Sequence, residues 1–288
     1  MTHKFRDFKN SPHAKKSHFL VIGNPISHSL SPLMHQTALD YYKIDATYLS
    51  VNLSSDEITD FIAWCNQPDF KGCNVTIPYK QAFMEVVDEI DSFAEEIGVI
   101  NTIAKSENRL IGYNTDAHGF LMGLEPCLDV TELSRAVIFG TGGSSRAVKA
   151  ALQQIGFDEL VFVSRRASTK TAINQPPEIR VVDYDQWPSF AEEASLFVNT
   201  TPLGMHPKTD KMPIRDEEAS LFEGKLCYDL IYNPAETRFL KVAKENGASV
   251  INGLDMLIHQ GSKSFELWTG KPFPAGLIKK NLLKYFES

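Results

Sequence analysis

The sequence predicts an α/β protein of two domains, and three observations carry that prediction. Short apolar runs ending in glycine, such as residues 18–23 (HFLVIG) and 136–140 (AVIFG), read as buried strands. Amphipathic runs of helical spacing, such as residues 33–42, alternate with them. In residues 136–164 a strand, a glycine-rich turn, a helix and a second strand follow one another as in a βαβ unit. A chain of 288 residues has room for one large domain or two modest ones, each with its own core.

Composition excludes several classes. The chain is 43% hydrophobic and 23% charged, as ordinary globular proteins are. Its net charge of −7 opposes general nucleic-acid binding. No apolar run approaches the roughly 18 residues that span a bilayer, and the first 17 residues lack an apolar signal core. That basic segment, residues 1–17, reads as a flexible tail. The cysteines Cys65, Cys73, Cys127 and Cys227 form no CxxC pair, so neither a metal site nor a disulfide framework is expected. A cytoplasmic protein with no membrane or nucleic-acid partner follows.

In the first half, strands are expected at 18–23, 47–53 and 72–77. The loop between the first strand and the helix at 33–42 holds Ser29, Ser31 and Pro32. Ser31 reads as an N-cap with proline at the first helical position; a hydroxyl-bearing loop before a helix also suits a carboxylate. Ser54 and Glu57 have capping-box spacing and open a helix to about residue 66. Asn74-Val75-Thr76-Ile77-Pro78-Tyr79-Lys80 packs three polar side chains into seven residues. Asn74 and Thr76 share one face of the expected strand, and Pro78, with no N–H to donate, ends it before Lys80. Asn101 opens a hairpin spanning 101–113. Asp116 stands at the start of a helix over 118–124, where it reads as an N-cap or as a functional carboxylate.

The second half contains Gly140-Thr141-Gly142-Gly143-Ser144-Ser145 between strand and helix. Glycines there let a backbone approach a pyrophosphate seated on the helix N-terminus, with Ser145 at the packing position. The next strand ends in Ser164-Arg165-Arg166, with Ser168, Thr169 and Lys170 beyond. Guanidinium groups suit a ribose 2′-phosphate, whereas an NAD site places an acidic residue there. NADP(H) is therefore the expected cofactor. Strand ends at Thr200 and Ile231 are expected to line the cofactor crevice. Gln260 lies in a helix over 253–268, where spacing alone makes it a surface residue.

The motifs GNPISHSLSP, GCNVTIPYK, GVINTI, GYNTDAHGF, FGTGGSSRA, VSRR, NTTPLGM, DLIYNP and GLDMLIHQG run in one order along the chain. In this it resembles the shikimate dehydrogenase family over nearly everything after residue 17. The resemblance implies an N-terminal α/β substrate domain joined to a Rossmann-like NADP-binding domain. It implies oxidoreductase activity, the reversible reduction of 3-dehydroshikimate to shikimate with NADPH, in aromatic amino acid (chorismate) biosynthesis. It assigns Lys80 and Asp116 as the catalytic pair. Ser29 and Ser31 would bind the substrate carboxylate, and Asn74, Thr76, Asn101, Asp116 and Gln260 its hydroxyls, with Tyr232 nearby. Met205 and Gly253 would border the nicotinamide.

The expected domains are 18–115 with 254–288 for substrate and 116–253 for NADP(H), with a cleft between them that closes on both ligands. The expected form is a monomer or homodimer. Two rival readings stand beside this one. One is a quinate/shikimate dehydrogenase with relaxed substrate or NAD use, against which the double arginine argues. The other is a non-catalytic NADP(H)-binding sensor, which would have lost Lys80 or Asp116.

Overall fold

The computed structural model describes residues 2–167 and 178–287. The chain divides into two compact units, Met1–Gly119 with Ile258–Ser288, and Phe120–Leu257.

The first unit is built on a seven-stranded mixed sheet. An interior strand, β2 (His18–Gly23), is buried at every residue. Such continuous burial explains why the strand reads as an unbroken apolar run: in a parallel sheet both faces are covered. β2 pairs in parallel with β3 (Thr47–Asn52) and β4 (Phe70–Val75). Beyond β4 the pairing turns antiparallel, β4 against β6 (Thr102–Ser106) and β6 against β7 (Arg109–Tyr113), with a short β5 (Glu89–Ile90) on the edge. Helices α2 (Ser31–Tyr41), α3 (Ile58–Trp64), α4 (Ser92–Ile97) and α5 (Asp116–Leu124) connect these strands or follow them.

The N-terminal segment corrects the sequence reading. It is not a flexible tail: β1 (Thr2–Lys4) adds to the sheet edge in parallel with β3, His3 opposite Val51. A one-turn α1 (Phe5–Phe8) then buries both phenylalanines completely. Phe5 meets Phe61 and Trp64 edge-on at centroid distances of 5.4 and 5.8 Å. Arg6 pairs with Glu57 at 3.0 Å. Two phenylalanines three apart make a helical face too short to register as a period, while the surrounding lysines and arginine dominate the composition.

Three boundaries also move. Ser31 is the first residue of α2 and Leu30 its cap, so Ser31 is not the N-cap. The Ser54 N–H does donate to the Glu57 carboxylate at 3.0 Å, but the helix proper runs only over Ile58–Trp64. And β4 stops at Val75, two residues short of the expected end.

The second unit is a six-stranded, wholly parallel sheet. Its strands are β8 (Arg135–Phe139), β9 (Glu159–Val163), β10 (Ile179–Val182), β11 (Ala194–Asn199), β12 (Leu226–Asp229) and β13 (Ser249–Ile251). Their spatial order is β10-β9-β8-β11-β12-β13. Counted from β8 this is 3-2-1-4-5-6, the Rossmann order, which reverses direction between β8 and β11. Helix α6 (Gly143–Gln154) follows β8 and buries Ala147, Val148, Ala151 and Leu152 along one face. Helix α7 (Arg238–Glu245) precedes β13. The last helices are α8 (Leu254–Thr269) and α9 (Ala275–Glu287). Among the described residues no helix is long and apolar enough to cross a membrane.

Candidate active site

Lys80 is delivered by a tightly held turn. The Tyr79 N–H closes it by donating to Thr76 O at 2.9 Å. The buried Tyr79 phenol donates to Leu53 O, and the Lys80 carbonyl accepts from Ile100 N–H at 3.0 Å. The main chain on both sides of Lys80 is thereby fixed while its side chain stays free to reach a partner. That partner is Asp116: Lys80 Nζ forms an ion pair with Asp116 Oδ2, the two side chains only 12% and 8% exposed.

Asp116 does not cap its helix. Asn114 Oδ1 accepts from Ala117 N–H at 3.2 Å, and that bond leaves the Asp116 carboxylate available. Its second oxygen accepts from Asn101 Nδ2 at 2.8 Å. Asn101 is itself locked: Nδ2 also donates to Thr115 Oγ1 at 2.9 Å, and Oδ1 accepts from Thr115 N–H at 2.7 Å. A carboxylate held at both oxygens can orient an ammonium in one direction only.

A second buried polar cluster surrounds Asn74, which pairs across β4 and β6 with Thr102. Asn74 Nδ2 donates to Thr102 Oγ1 and to Ser264 Oγ, each at 3.0 Å, and its Oδ1 accepts from the Tyr48 phenol at 2.6 Å. Ser264 in turn donates to the Gln260 carbonyl at 3.0 Å. Burial pushes the Tyr48 phenol well above its ordinary range, opposed by a hydrogen bond with Ser31. Beneath Tyr48 lies His35, stacked with ring centroids 4.4 Å apart and planes 9° from parallel. His35 is fully buried, and neither ring nitrogen has a hydrogen-bond partner among the described residues. Burial alone pushes it down to about 3.

Ser29 Oγ accepts from Ser31 N–H at 3.3 Å, so both serines belong to one turn at the start of α2. Thr76 lies just beyond β4 and so does not share a strand face with Asn74; its methyl group packs on Gly23, where an added Cβ would come within 2.6 Å. Thus Ser29, Ser31, Asn74, Thr76, Lys80, Asn101, Asp116 and Gln260 all fall in the first unit, and Tyr232 falls in the second.

In the second unit the glycine-rich turn lies at the point where strand order reverses. Gly140 has φ +109°, and a Cβ there would meet Thr200 Oγ1 at 2.6 Å, so the turn closes only on glycine. Thr200 also ties the two strand ends, its N–H and hydroxyl both donating to Phe139 O at 3.0 and 2.7 Å. A Cβ on Gly142 would touch nothing within 4 Å. The protein's own packing does not require glycine there; close approach of a phosphate would. Gly143 and Ser144 open α6, and Ser145 is buried with its hydroxyl donating to Gly142 O at 2.7 Å. First-turn N–H groups of a helix are unpaired within it and attract anions. Ser164 Oγ accepts from Arg166 N–H at 3.2 Å, and Arg165 and Arg166 are exposed at this turn. Ser168, Thr169 and Lys170 lie outside the described residues. These groups fit a phosphorylated dinucleotide.

Known proteins resemble the chain over most of its length. Residues 21–103 match the model of the shikimate dehydrogenase substrate binding domain, and residues 253–283 that of the shikimate 5′-dehydrogenase C-terminal domain. A shikimate dehydrogenase (NADP(+)) from Carboxydothermus hydrogenoformans is 39% identical over 266 residues, 90% of this chain and 94% of the relative. The chain belongs to the shikimate dehydrogenase family. A second member, from Bacillus cereus (strain AH187), is 36% identical over 87% of this chain and 92% of its own. The solved shikimate 5-dehydrogenase from Thermus thermophilus, in complex with NADP(H) and shikimate, superposes with a TM-score of 0.81 at 33% identity. It covers 93% of this chain and 99% of its own.

Sequence reasoning missed four members of these buried polar clusters: Tyr48, Thr102, Thr115 and Ser264. Each is an ordinary strand, loop or helix residue by spacing. Tyr48 reaches Asn74 across β3, β2 and β4, Thr102 through the pairing of β4 with β6, Thr115 reaches Asn101 beside the β6–β7 hairpin, and Ser264 comes in on α8.

Proposed function

We propose that this chain is an NADP-dependent shikimate dehydrogenase, reducing 3-dehydroshikimate to shikimate reversibly in aromatic amino acid biosynthesis. The observation that carries the reading is the Lys80–Asp116 pair. It is a buried ammonium held by a carboxylate that Asn101 fixes at its other oxygen, in a chain whose second unit carries a dinucleotide turn.

When bound, NADPH supplies the hydride that reduces the ketone carbon. The protein's part is to manage the oxygen. As the carbonyl π electrons move onto oxygen, a negative charge develops there, and Lys80 Nζ stabilises it as a hydrogen-bond donor and then delivers a proton. The neutral amine that remains regains a proton from solvent, so one ketone, one NADPH and one proton give one alcohol and NADP⁺. Asp116 holds Nζ in line and, with Asn74, Thr76, Asn101 and Gln260, receives the ring hydroxyls. Ser29 and Ser31 take the substrate carboxylate, and the family resemblance assigns Tyr232 to the substrate as well. When bound, the cofactor would be held by Gly140, Gly142, Gly143, Ser144 and Ser145, and its 2′-phosphate by Ser164, Arg165 and Arg166. Thr200 and Ile231 would line the cofactor crevice, and Met205 and Gly253 would border the nicotinamide. The division of labour follows the two units: Met1–Gly119 with Ile258–Ser288 handles substrate, and Phe120–Leu257 handles NADP(H). We read the enzyme as cytoplasmic, acting on small molecules as a monomer or homodimer.

The test is an oxidation assay with shikimate and quinate, each with NADP⁺ and NAD⁺. Shikimate with NADP⁺ is expected to give the highest kcat/KM. Absence of turnover in all four combinations would overturn the reading in favour of a non-catalytic binder.

A further inference from the structure

The second unit contains a buried pair that the reaction as described does not use. Asn199 ends β11, Asp229 ends β12, and the two are register partners, both completely buried. Every hydrogen-bonding position of the Asn199 side chain is engaged. Its Nδ2 donates to Leu203 O and to Asp229 Oδ1, each at 3.1 Å. Its Oδ1 accepts from Thr201 N–H at 3.0 Å and from the Thr201 hydroxyl at 2.7 Å. Asp229 gathers three donors: Asn199 Nδ2, Ile231 N–H at 3.0 Å, and the Thr237 hydroxyl at 2.6 Å. It makes no ion pair among the described residues.

A buried carboxylate without a cation is costly, and a fold retains one where an acceptor-only group is needed. Here three donors converge from three segments. An amide would turn an N–H₂ toward a donor, and an apolar side chain would leave all three unpaired. The network extends further. Leu230 N–H donates to Asn199 O at 3.1 Å, and Gly253 N–H donates to Ile231 O at 3.0 Å. A Cβ on Gly253 would lie 2.0 Å from Leu230 O, so the segment after β13 is pressed onto the same peptide. One polar tie thus sets the relative positions of the loops carrying Met205, Ile231 and Gly253.

We propose that Asn199 and Asp229 are positioning residues for the nicotinamide end of the dinucleotide, holding the loops after β11 and β12 in a single arrangement. The inference rests on the NADP(H) reading above. It separates the two ends of the cofactor, because the Ser164–Arg166 turn lies beyond β9 and takes no part in the tie. Hydride transfer is sensitive to misplacements of about 1 Å, so loosening the tie acts on the nicotinamide and not on the adenosine 2′-phosphate.

The experiment compares wild type with Asn199→Ala and the near-isosteric Asp229→Asn. It measures kcat for shikimate oxidation and Kd for NADP⁺ and for adenosine 2′,5′-bisphosphate, a probe without nicotinamide. Expected are a kcat lowered about tenfold or more and a weaker NADP⁺ Kd, with the bisphosphate Kd within about twofold of wild type. Should Asn199→Ala not fold, Asp229→Asn carries the test alone, since it preserves shape while replacing one acceptor oxygen with an N–H₂ donor and removing the charge. Unchanged kcat and NADP⁺ affinity would overturn the proposal, as would equal weakening of both ligands, the mark of a merely structural strap. Wild-type protein that bound neither ligand would overturn the NADP(H) reading itself and this proposal with it.

Discussion

Two residues show how much a single side chain decides. Lys80 is the proposed proton donor, and its main chain is fixed by neighbours while Asp116 holds its tip. Lys80→Ala should therefore lower kcat by about 10²–10⁴ and leave the shikimate KM within a few-fold, in steady-state assays at saturating NADP⁺. A kcat within a few-fold of wild type would remove Lys80 from the chemistry. His35 acts on stability. Burial holds it at about 3 in the folded state, against an ordinary value of 6.5. As pH falls below 6.5 the unfolded chain takes up a proton that the folded chain refuses, so stability is lost from pH 6.5 down to about 3. At about 1.4 kcal/mol per pH unit, the loss reaches about 2 kcal/mol by pH 5. Asp229 runs the other way: burial raises it from 3.8 to about 6, so its contribution favours folding as pH falls through 6. Asp229 offsets only part of the His35 loss, and the clean measurement is a difference. Urea unfolding at pH 7 and pH 5 should show that His35→Phe removes the acid-side loss and makes the protein relatively more stable at pH 5. Parallel pH dependence of variant and wild type would contradict this.

At the scale of elements, the N-terminal segment is the informative case. Its charge pattern suggests a solvated tail, yet Phe5 and Phe8 sit in the core with Phe61 and Phe70. Phe8→Ala is expected to cost about 3–5 kcal/mol in chemical denaturation, as other buried phenylalanines do, with little change in shikimate or NADP⁺ KM. A loss below about 0.5 kcal/mol, the usual surface value, would mean that the segment is not docked in solution. The turn before Lys80 teaches a related point. Pro78 would by itself end the strand, but the ladder stops earlier, at Val75, where the antiparallel partner β6 has reached its own first residue, Thr102. Tyr79, an unremarked aromatic in the motif, is what anchors the turn through Leu53 O.

For the whole molecule, the proposed function divides labour between the two sheets by topology. The parallel order of the second sheet places the ends of β8 and β11 at the reversal point, where a dinucleotide binds in open α/β sheets. NADP⁺ at about 100 times its Kd should raise the unfolding free energy of the unit that binds it by about 2.7 kcal/mol. NAD⁺ at the same concentration should give a smaller rise, since Arg165 and Arg166 lack a 2′-phosphate to pair with. Thermal shift with each nucleotide measures both, and equal shifts would remove the arginines from cofactor selection.

Much of this protein is legible in one dimension because its signals are local. Alternation of apolar strands and helices defines α/β class, and the glycine-rich turn with its following arginines defines a phosphorylated dinucleotide. Lys80, Asp116, Asn74 and Asn101 stand in motifs whose residue types already suggest their chemistry. What only the tertiary structure decided are the relations among distant segments. Tyr48, Thr102, Thr115 and Ser264 meet Asn74 and Asn101 through strand pairing and the return of α8. Asn199 and Asp229 become one tie because β11 and β12 lie side by side in register. The physical reason is the same in each case. Hydrogen bonds inside a protein satisfy donors and acceptors wherever the fold brings them together, and no local pattern records which partner a buried polar group will find.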